Sequence, residues 1–333
     1  MPHHHRLPRL AVATLLACLA TAAHTQTLVV LNKQENTLVA IDAASMKIIG
    51  RVPTGNGPHE AAVSADGKLV VVANYGAQQP GNSLSLIDIS TMKESKRVDL
   101  GALLRPHGMQ QVGGKFYITS ETSRNVLRYD PAADRVDWLM GTGASVSHML
   151  VVAPDGKKVY TANIGSNNVT ALNIGGPSNA GAIAQIAVGP QPEAIDISPD
   201  GKELWVGQNG DGRVSIIDTS TNTVKETIKA GELPIRVKFT LDGKRVLVSD
   251  PKSNEVIVFD AGTRREVKRI KLDGVPLGIL LHPAGKLAYI SRAQAGEVTA
   301  IDLEKLEVGA SVKTGDGPDG LAWSTLAPPR TPG

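Results

Sequence analysis

Short segments in which hydrophobic and polar residues alternate follow one another along most of the chain. Residues 189–231 show the pattern clearly, with four such segments at 192–198, 203–207, 214–218 and 224–228. Between the segments lie clusters of Pro, Asp, Asn and Gly, residue types that form tight turns. Alternation interrupted by turn residues predicts antiparallel strands joined by hairpins.

The same four-segment unit recurs seven times. Its first strand begins at a recurring residue, called the register residue below: Pro58, Pro106, Ser147, Pro192, Pro234, Pro276 and Pro318. Its third strand closes on a second recurring residue: Asp42, Asp88, Asp130, Asn173, Asp218, Asp260 and Asp302. A unit of about forty residues with four strands is typical of one blade of a β-propeller. The sequence therefore predicts an all-β fold, a seven-bladed β-propeller with four antiparallel strands per blade.

The two ends of the repeat region are complementary. The chain begins with the second to fourth strands of a blade, predicted at 27–30, 37–42 and 48–52, and ends with a lone first strand at 318–324. Joining them completes one blade from both termini and leaves no open edge. One propeller domain over residues 24–326 is predicted.

Residues 1–23 have the features of an export signal. Arg6 and Arg9 precede a short apolar stretch, which small residues follow. This predicts a periplasmic or secreted protein without a transmembrane anchor, and simple secretion is favoured over a lipoprotein attached through Cys18, the only cysteine. Removing the segment lowers the formal charge from +3 to +1, so basicity is no argument for nucleic acid. Residues 327–333, rich in proline, are predicted to be disordered.

The second strands end in a shared signature, and the Asp-Gly turns support it. The signature residues are Val71-Val72-Ala73-Asn74, Tyr117-Ile118-Thr119-Ser120, Tyr160-Thr161-Ala162-Asn163 and Trp205-Val206-Gly207-Gln208. Here the chain resembles the YVTN β-propeller family, over residues 27–324. Lactonases and metal-dependent lyases are among related seven-bladed propellers, so the resemblance implies the fold and leaves the chemistry open.

The position after the register residue breaks the repeat. Around the ring it holds Asp319, His59, His107, His148, Glu193, Ile235 and Leu277. Five consecutive blades thus place polar side chains that could bind a metal at the expected mouth of the central channel. Three histidines in register predict a divalent transition-metal site with His59, His107 and His148 as ligands. Asp319 or Glu193 would be a further ligand, an acceptor that orients a histidine, or a general base.

Two points stay open at this position. Histidines at strand starts also cap backbone groups or line a wet channel with no metal bound. The sequence does not decide whether this position or the next, which includes Glu60 and Arg236, points into the channel.

Other polar residues are predicted on the same face. Proton transfer is assigned to Glu193, Glu60 or Glu121, and ligand binding to Asn74, Asn163, Arg236, Arg292 and Arg105. Arginines beside a histidine cluster suit an anionic or carboxylate-bearing small molecule.

Two function classes follow from these patterns. The first is a metal-dependent hydrolase or lyase acting on a small molecule, as the resemblance to lactonase-type and lyase-type propellers implies. The alternative is a non-catalytic binding or scaffold propeller, whose extended loop at 76–83 contacts a protein or the cell envelope. Aromatic residues form only 3% of the chain, which disfavours nucleic-acid binding. A monomer is predicted.

Overall fold

The computed structural model describes residue 1 and residues 26–174 and 183–326. Except for Met1, the predicted export signal lies outside these ranges, as does the predicted disordered tail at 327–333. Within them the regular elements are twenty-eight strands and one short 3₁₀ turn at Ile164–Ser166.

The strands form seven four-stranded antiparallel sheets, here called blades I to VII. Blade I contains β28 (Pro318–Ser324), β1 (Thr27–Asn32), β2 (Thr37–Asp42) and β3 (Lys47–Pro53). Blade II contains β4 (Pro58–Val63), β5 (Leu69–Gly76), β6 (Pro80–Asp88) and β7 (Lys93–Asp99). Blade III contains β8 (Pro106–Val112), β9 (Lys115–Ser120), β10 (Asn125–Asp130) and β11 (Arg135–Gly141). Blade IV contains β12 (Ser147–Val152), β13 (Lys158–Asn163), β14 (Asn168–Asn173) and β15 (Ile183–Ala187).

Blade V contains β16 (Pro192–Ile197), β17 (Glu203–Gln208), β18 (Arg213–Asp218) and β19 (Thr223–Lys229). Blade VI contains β20 (Arg236–Phe239), β21 (Arg245–Asp250), β22 (Glu255–Asp260) and β23 (Glu266–Lys271). Blade VII contains β24 (Pro276–Leu281), β25 (Leu287–Arg292), β26 (Glu297–Asp302) and β27 (Glu307–Lys313). The prediction of a seven-bladed propeller is confirmed.

Blade I joins the two ends of the repeat region, as the sequence predicts. β28 pairs antiparallel with β1, with Thr27 opposite Ser324 and Val30 opposite Leu321. The predicted loop at 76–83 is instead mostly the extended ends of β5 and β6, where Gly76 pairs with Pro80.

The turns owe their shape to the recurring glycine and aspartate residues. Gly201 has a φ of 74°, a left-handed conformation that costs glycine little. At the end of a third strand, Asp218 Oδ1 accepts hydrogen bonds from the backbone N–H and the hydroxyl of Ser220. These repeated residues therefore serve the turns.

The apolar core lies between neighbouring blades. One buried cluster combines Trp205 and Ile216 of blade V with Phe239 and Val248 of blade VI. Similar clusters fill the space between the other blades, while the fourth strands are largely exposed. Each blade is thus stabilised by its two neighbours.

A β-bulge near the start of the inner strand positions the channel residues. In blade II, Pro58 pairs with Asn74 and Ala61 with Val72, so β4 carries one residue more than β5 over this interval. The same extra residue occurs in β8, β12, β16, β24 and β28. A bulge interrupts the strict alternation of side-chain direction. It explains why both positions after the register residue contribute side chains to the channel mouth.

The inner strands enclose a central cavity of about 340 Å³ below that mouth. Glu60 and Arg236 lie among its lining residues, together with Met149 and Trp323. Within the described part of the chain, no helix is long and apolar enough to span a membrane.

Candidate metal centre at the channel mouth

The three histidines in register are in contact. His107 lies between the other two, with its ring centroid 4.0 Å from that of His59 and 3.7 Å from that of His148. The rings of His59 and His148 are 6.3 Å apart. All three side chains are buried, His107 completely. The structure therefore brings together the three histidines that the sequence predicts as metal ligands.

Close approach of neighbouring inner strands produces this contact. A Cβ on Gly108, next to His107, would lie 2.8 Å from the carbonyl oxygen of His148, so glycine allows blades III and IV to meet. The hydroxyl of Thr119 donates a hydrogen bond of 2.5 Å to the same carbonyl. Blade III thereby fixes the start of β12 and, with it, His148.

Two of the histidines have a carboxylate beside Nδ1. His148 Nδ1 donates to Glu121 Oε2 at 2.6 Å, and His59 Nδ1 lies 3.4 Å from Asp319 Oδ2. Metal-binding histidines in proteins commonly have such a carboxylate on the ring nitrogen that does not bind the metal. The Nε2 atoms lie on the other side of each ring, where His59 Nε2 is 3.1 Å from His107 Nε2.

Burial and the neighbouring charges act on these imidazoles in opposite directions. Burial, together with the positive charges of His148 and His59, lowers the pKa of His107 well below its ordinary value. Burial also opposes protonation of His148, but its contacts with Glu121 and Glu193 dominate and raise its pKa. A neutral His107 has a lone pair available at one ring nitrogen, as a metal ligand requires.

Arg236 of blade VI closes the ring of polar residues. Its guanidinium donates to Glu60 Oε1 at 2.7 Å and lies 3.7 Å from both Asp319 Oδ1 and Glu193 Oε1. Burial alone would raise the pKa of Glu60, but Arg236 and His59 lower it to about 2. Glu60 is therefore ionised and forms an ion pair with Arg236.

Tyr75 was missed in the sequence analysis. Its ring packs edge-on against His59 and His107, with centroids 5.3 Å from each, and its hydroxyl donates to Glu121 Oε1 at 2.7 Å. It lies near the end of β5, at the position of the repeat that Lys33 holds in blade I and Glu121 in blade III. The sequence signal that could have identified Tyr75 was an aromatic side chain at this position of the repeat.

The remaining predicted ligand-binding residues divide into two groups. Arg105 reaches the cluster, with its guanidinium carbon 4.6 Å from the centre of the Tyr75 ring. Asn74 and Asn163 are buried inside their blades, where they donate to Ser85 and Thr170. Arg292 donates to Glu297 and to the carbonyl oxygen of Asp273. Arg292 thus forms its ion pair with a different carboxylate from those that Arg236 contacts.

The donor set fits a transition-metal ion. The distance of 3.1 Å between the Nε2 atoms of His59 and His107 is close to the roughly 3.3 Å between two imidazole nitrogens of tetrahedral zinc. Ligand atoms of His59, Glu60 and His107 lie within 4.8 Å of one another, as do those of His107, Glu121 and His148. Within the described ranges, the buried Nδ1 atom of His107 has no hydrogen-bond partner, so the protein alone leaves one ring nitrogen of the cluster unsatisfied.

One family model matches part of the chain. The Cytochrome D1 heme domain model matches residues 150–290. This segment includes Glu193 and Arg236. His59, His107 and His148 all lie before it. No curated protein matches the sequence.

Solved structures of similar fold come from several proteins. Hydrazine synthase of Kuenenia stuttgartiensis is 23% identical, with 80% of this chain and 89% of that chain covered and a TM-score of 0.70. The periplasmic gluconolactonase PpgL of Pseudomonas aeruginosa is 16% identical, with 90% and 99% covered and a TM-score of 0.72. The dihydro-heme d1 dehydrogenase NirN in complex with DHE is 17% identical, with 86% and 63% covered and a TM-score of 0.63. At these identities the likeness establishes the seven-bladed propeller and leaves the activity to be argued from the channel mouth.

Proposed function

We propose that the protein is an exported, metal-dependent hydrolase that opens a small lactone or ester at the channel mouth. The observation that carries this proposal is the contact of three buried histidines from successive blades, two of them with a carboxylate at Nδ1. Similarity in fold to a periplasmic gluconolactonase supports both the substrate class and a periplasmic location. The repeat signature supports membership of the YVTN group of propellers.

In this proposal His59, His107 and His148 hold a divalent transition metal. When bound, such an ion polarises a carbonyl oxygen and promotes the ionisation of water. Glu121 and Asp319 orient His148 and His59, because their carboxylates accept from or lie beside the Nδ1 atoms. Arg236 holds Glu60 and Asp319 in place at the entrance to the channel.

Glu193 is the residue best placed to move a proton. Its Oε1 lies 3.4 Å from His148 Nε2, on the inner side of the cluster, and Asn209 donates to its other oxygen. Glu60 is tied to Arg236, and both oxygens of Glu121 accept hydrogen bonds, from Tyr75 and His148. Glu193 would accept a proton at Oε1 from the attacking water and return it to the leaving oxygen. The same base would serve an elimination on a lyase substrate.

The test is a lactone-hydrolysis assay on mature protein purified without a histidine tag and loaded with metal. Glu193→Gln is expected to lower kcat about 100-fold or more while metal content is unchanged, since loss of a general base has effects of this size. Glu226→Gln, on the exposed strand β19, is the matched control. Wild-type rates equal to the uncatalysed rate, or a Glu193→Gln variant as active as the wild type, would sink the proposal.

A second candidate, binding of a haem-type ligand without catalysis, is favoured by the match to the Cytochrome D1 heme domain model. In that case a histidine of the cluster would bind the haem iron. Titration with haemin would then produce a shifted absorption band that is lost in a His107→Ala variant. Absence of the shift leaves this candidate without support.

A further inference from the structure

Two cations lie against the ring of Tyr75. The guanidinium carbon of Arg105 lies 4.6 Å from the centre of the Tyr75 ring, and Lys33 Nζ lies 5.3 Å from it. The Tyr75 ring in turn packs against His59 and His107. Both cations are therefore one aromatic ring away from the candidate metal centre.

The backbone of Arg105 is held firmly. Its N–H donates to the carbonyl oxygen of Gly81 at 2.7 Å, and its own carbonyl oxygen accepts from the N–H of Glu121 at 3.0 Å. The residue thus connects blades II and III, and the side chain leaves this fixed point to stack on Tyr75. A guanidinium stacked on a ring keeps its N–H edge free to bind a planar anion.

The hydrogen-bonding capacity of Arg105 is mostly unused. A guanidinium has five N–H donors, whereas that of Arg105 donates to the carbonyl oxygen of Ala77 at 3.2 Å and has the Tyr75 hydroxyl as a further neighbour. No carboxylate of the described chain lies within ion-pairing distance, 4.0 Å, of Arg105. Lys33 has Asp319 at 3.8 Å, and about a third of its side chain is exposed.

The carboxylates of the cluster already have other partners. Arg236 lies within 4.0 Å of Glu60, Glu193 and Asp319, and Glu121 accepts hydrogen bonds from Tyr75 and His148. The cluster therefore offers Arg105 no direct ion pair, although the charge of Glu121 acts on it from a longer distance. An anion arriving from solvent would meet Arg105 and Lys33 before it reached the histidines.

We propose that Arg105 and Lys33, which both contact the Tyr75 ring, form a subsite for an anionic oxygen group of the substrate. The substrate class is then a lactone or ester that also bears a carboxylate or a phosphate. This inference rests on the proposed function in one respect, namely that the histidine cluster hydrolyses the lactone or ester bond of the substrate. The binding of the anionic group itself requires only the two cations and the aromatic ring.

The experiment measures binding to mature, untagged protein by isothermal titration calorimetry. Three sugars that share a scaffold are the probes: glucose 6-phosphate, glucuronate and uncharged glucose. The variants are Arg105→Met and Lys33→Met, which remove the charge and keep much of the side-chain length. Arg135→Met, which alters an exposed arginine of β11, is the matched control.

At least one charged sugar is expected to bind more tightly than glucose, and the preferred one identifies phosphate or carboxylate as the natural group. Arg105→Met is expected to weaken that binding about tenfold or more, because hydrogen bonds to charged groups contribute this much. Lys33→Met should weaken it less, and Arg135→Met should leave it unchanged. Unaltered melting temperature and metal content in each variant will show that the site remains folded.

Two results would overturn the subsite. One is equal affinity for glucose and both charged sugars, including no binding of any probe up to about 10 mM. The other is unchanged binding in Arg105→Met. A protein that binds the charged sugars through Arg105 but hydrolyses no lactone would retain the subsite and lose only the proposed hydrolase activity.

Discussion

At the scale of single residues, the histidines of the channel mouth differ in the partners of their ring nitrogens. His148 lies between two carboxylates, whereas His107 is completely buried and its Nδ1 has no partner in the described chain. The ring of Tyr75 packs against His59 and His107, and its hydroxyl donates a hydrogen bond to Glu121, which in turn holds His148. Metal affinity should therefore depend on residues that do not bind the metal.

Tyr75→Phe tests that dependence. The variant keeps the ring against the histidines and removes the hydrogen bond to Glu121, so Glu121 holds His148 less firmly. Removing such supporting contacts typically lowers metal affinity 10- to 100-fold, and we expect a loss of about tenfold in zinc affinity, measured by competition with a chelator. Tyr289→Phe is the control, because the buried hydroxyl of Tyr289 has no partner among the described residues. Equal losses in both variants would contradict the account.

Arg236→Met tests the charge balance of the cluster. Removing a buried cation leaves Glu60, Glu193 and Asp319 without their common partner, which should reduce the free energy of unfolding by about 3–5 kcal/mol. Adding Glu60→Gln to this variant should restore part of the loss, because one repelling charge is removed. Denaturant unfolding measures both effects. A double variant less stable than Arg236→Met would argue against mutual repulsion.

At the scale of elements, the sequence predicted the strands well and the channel mouth only in part. Turn residues and alternation located strands such as Glu203–Gln208, since hairpin geometry depends on neighbouring residues. The β-bulge of the inner strands could not be predicted, because it depends on how one strand pairs with the next. For the same reason the sequence left open whether Glu60 and Arg236 point into the channel. It also did not predict that Arg292 would pair with Glu297 and Arg236 with Glu60.

Gly320→Ala tests the contact between inner strands. A Cβ there would overlap the carbonyl oxygen of His59, so β28 and β4 must move apart. We expect a stability loss of about 1–3 kcal/mol, the usual effect of overpacking, together with weaker metal binding because Asp319 and His59 separate. Gly141→Ala on β11 is the control, since its Cβ would make only an ordinary contact with Asn125. Unchanged stability in Gly320→Ala would mean that the inner strands are less tightly packed than described.

At the scale of the whole molecule, the ring is closed by pairing of β28 with β1. Ser324 strengthens the closure with a hydrogen bond of 2.6 Å from its hydroxyl to the carbonyl oxygen of Gly67 in blade II. Because β28 also carries Asp319, the pairing of β28 with β1 closes the ring and also brings Asp319 to the channel mouth. The complementary ends made this closure predictable from the sequence.

Truncation before Pro318 tests the closure. Without β28 the edge of β1 is exposed, and an unpaired edge strand promotes association. We expect a large fall in melting temperature and oligomers on size-exclusion chromatography, whereas a chain truncated after Leu326 should resemble the full-length protein. A stable monomer lacking β28 would show that closure contributes little.

The metal content of the protein tests the central claim most directly. Mature protein purified without a histidine tag would be measured by elemental analysis beside the His59→Ala/His107→Ala/His148→Ala variant, with the melting temperature of each confirming that it is folded. The account predicts close to one divalent transition-metal ion per wild-type chain and none in the variant. No metal in the wild type after reloading, or equal metal in both proteins, would contradict it.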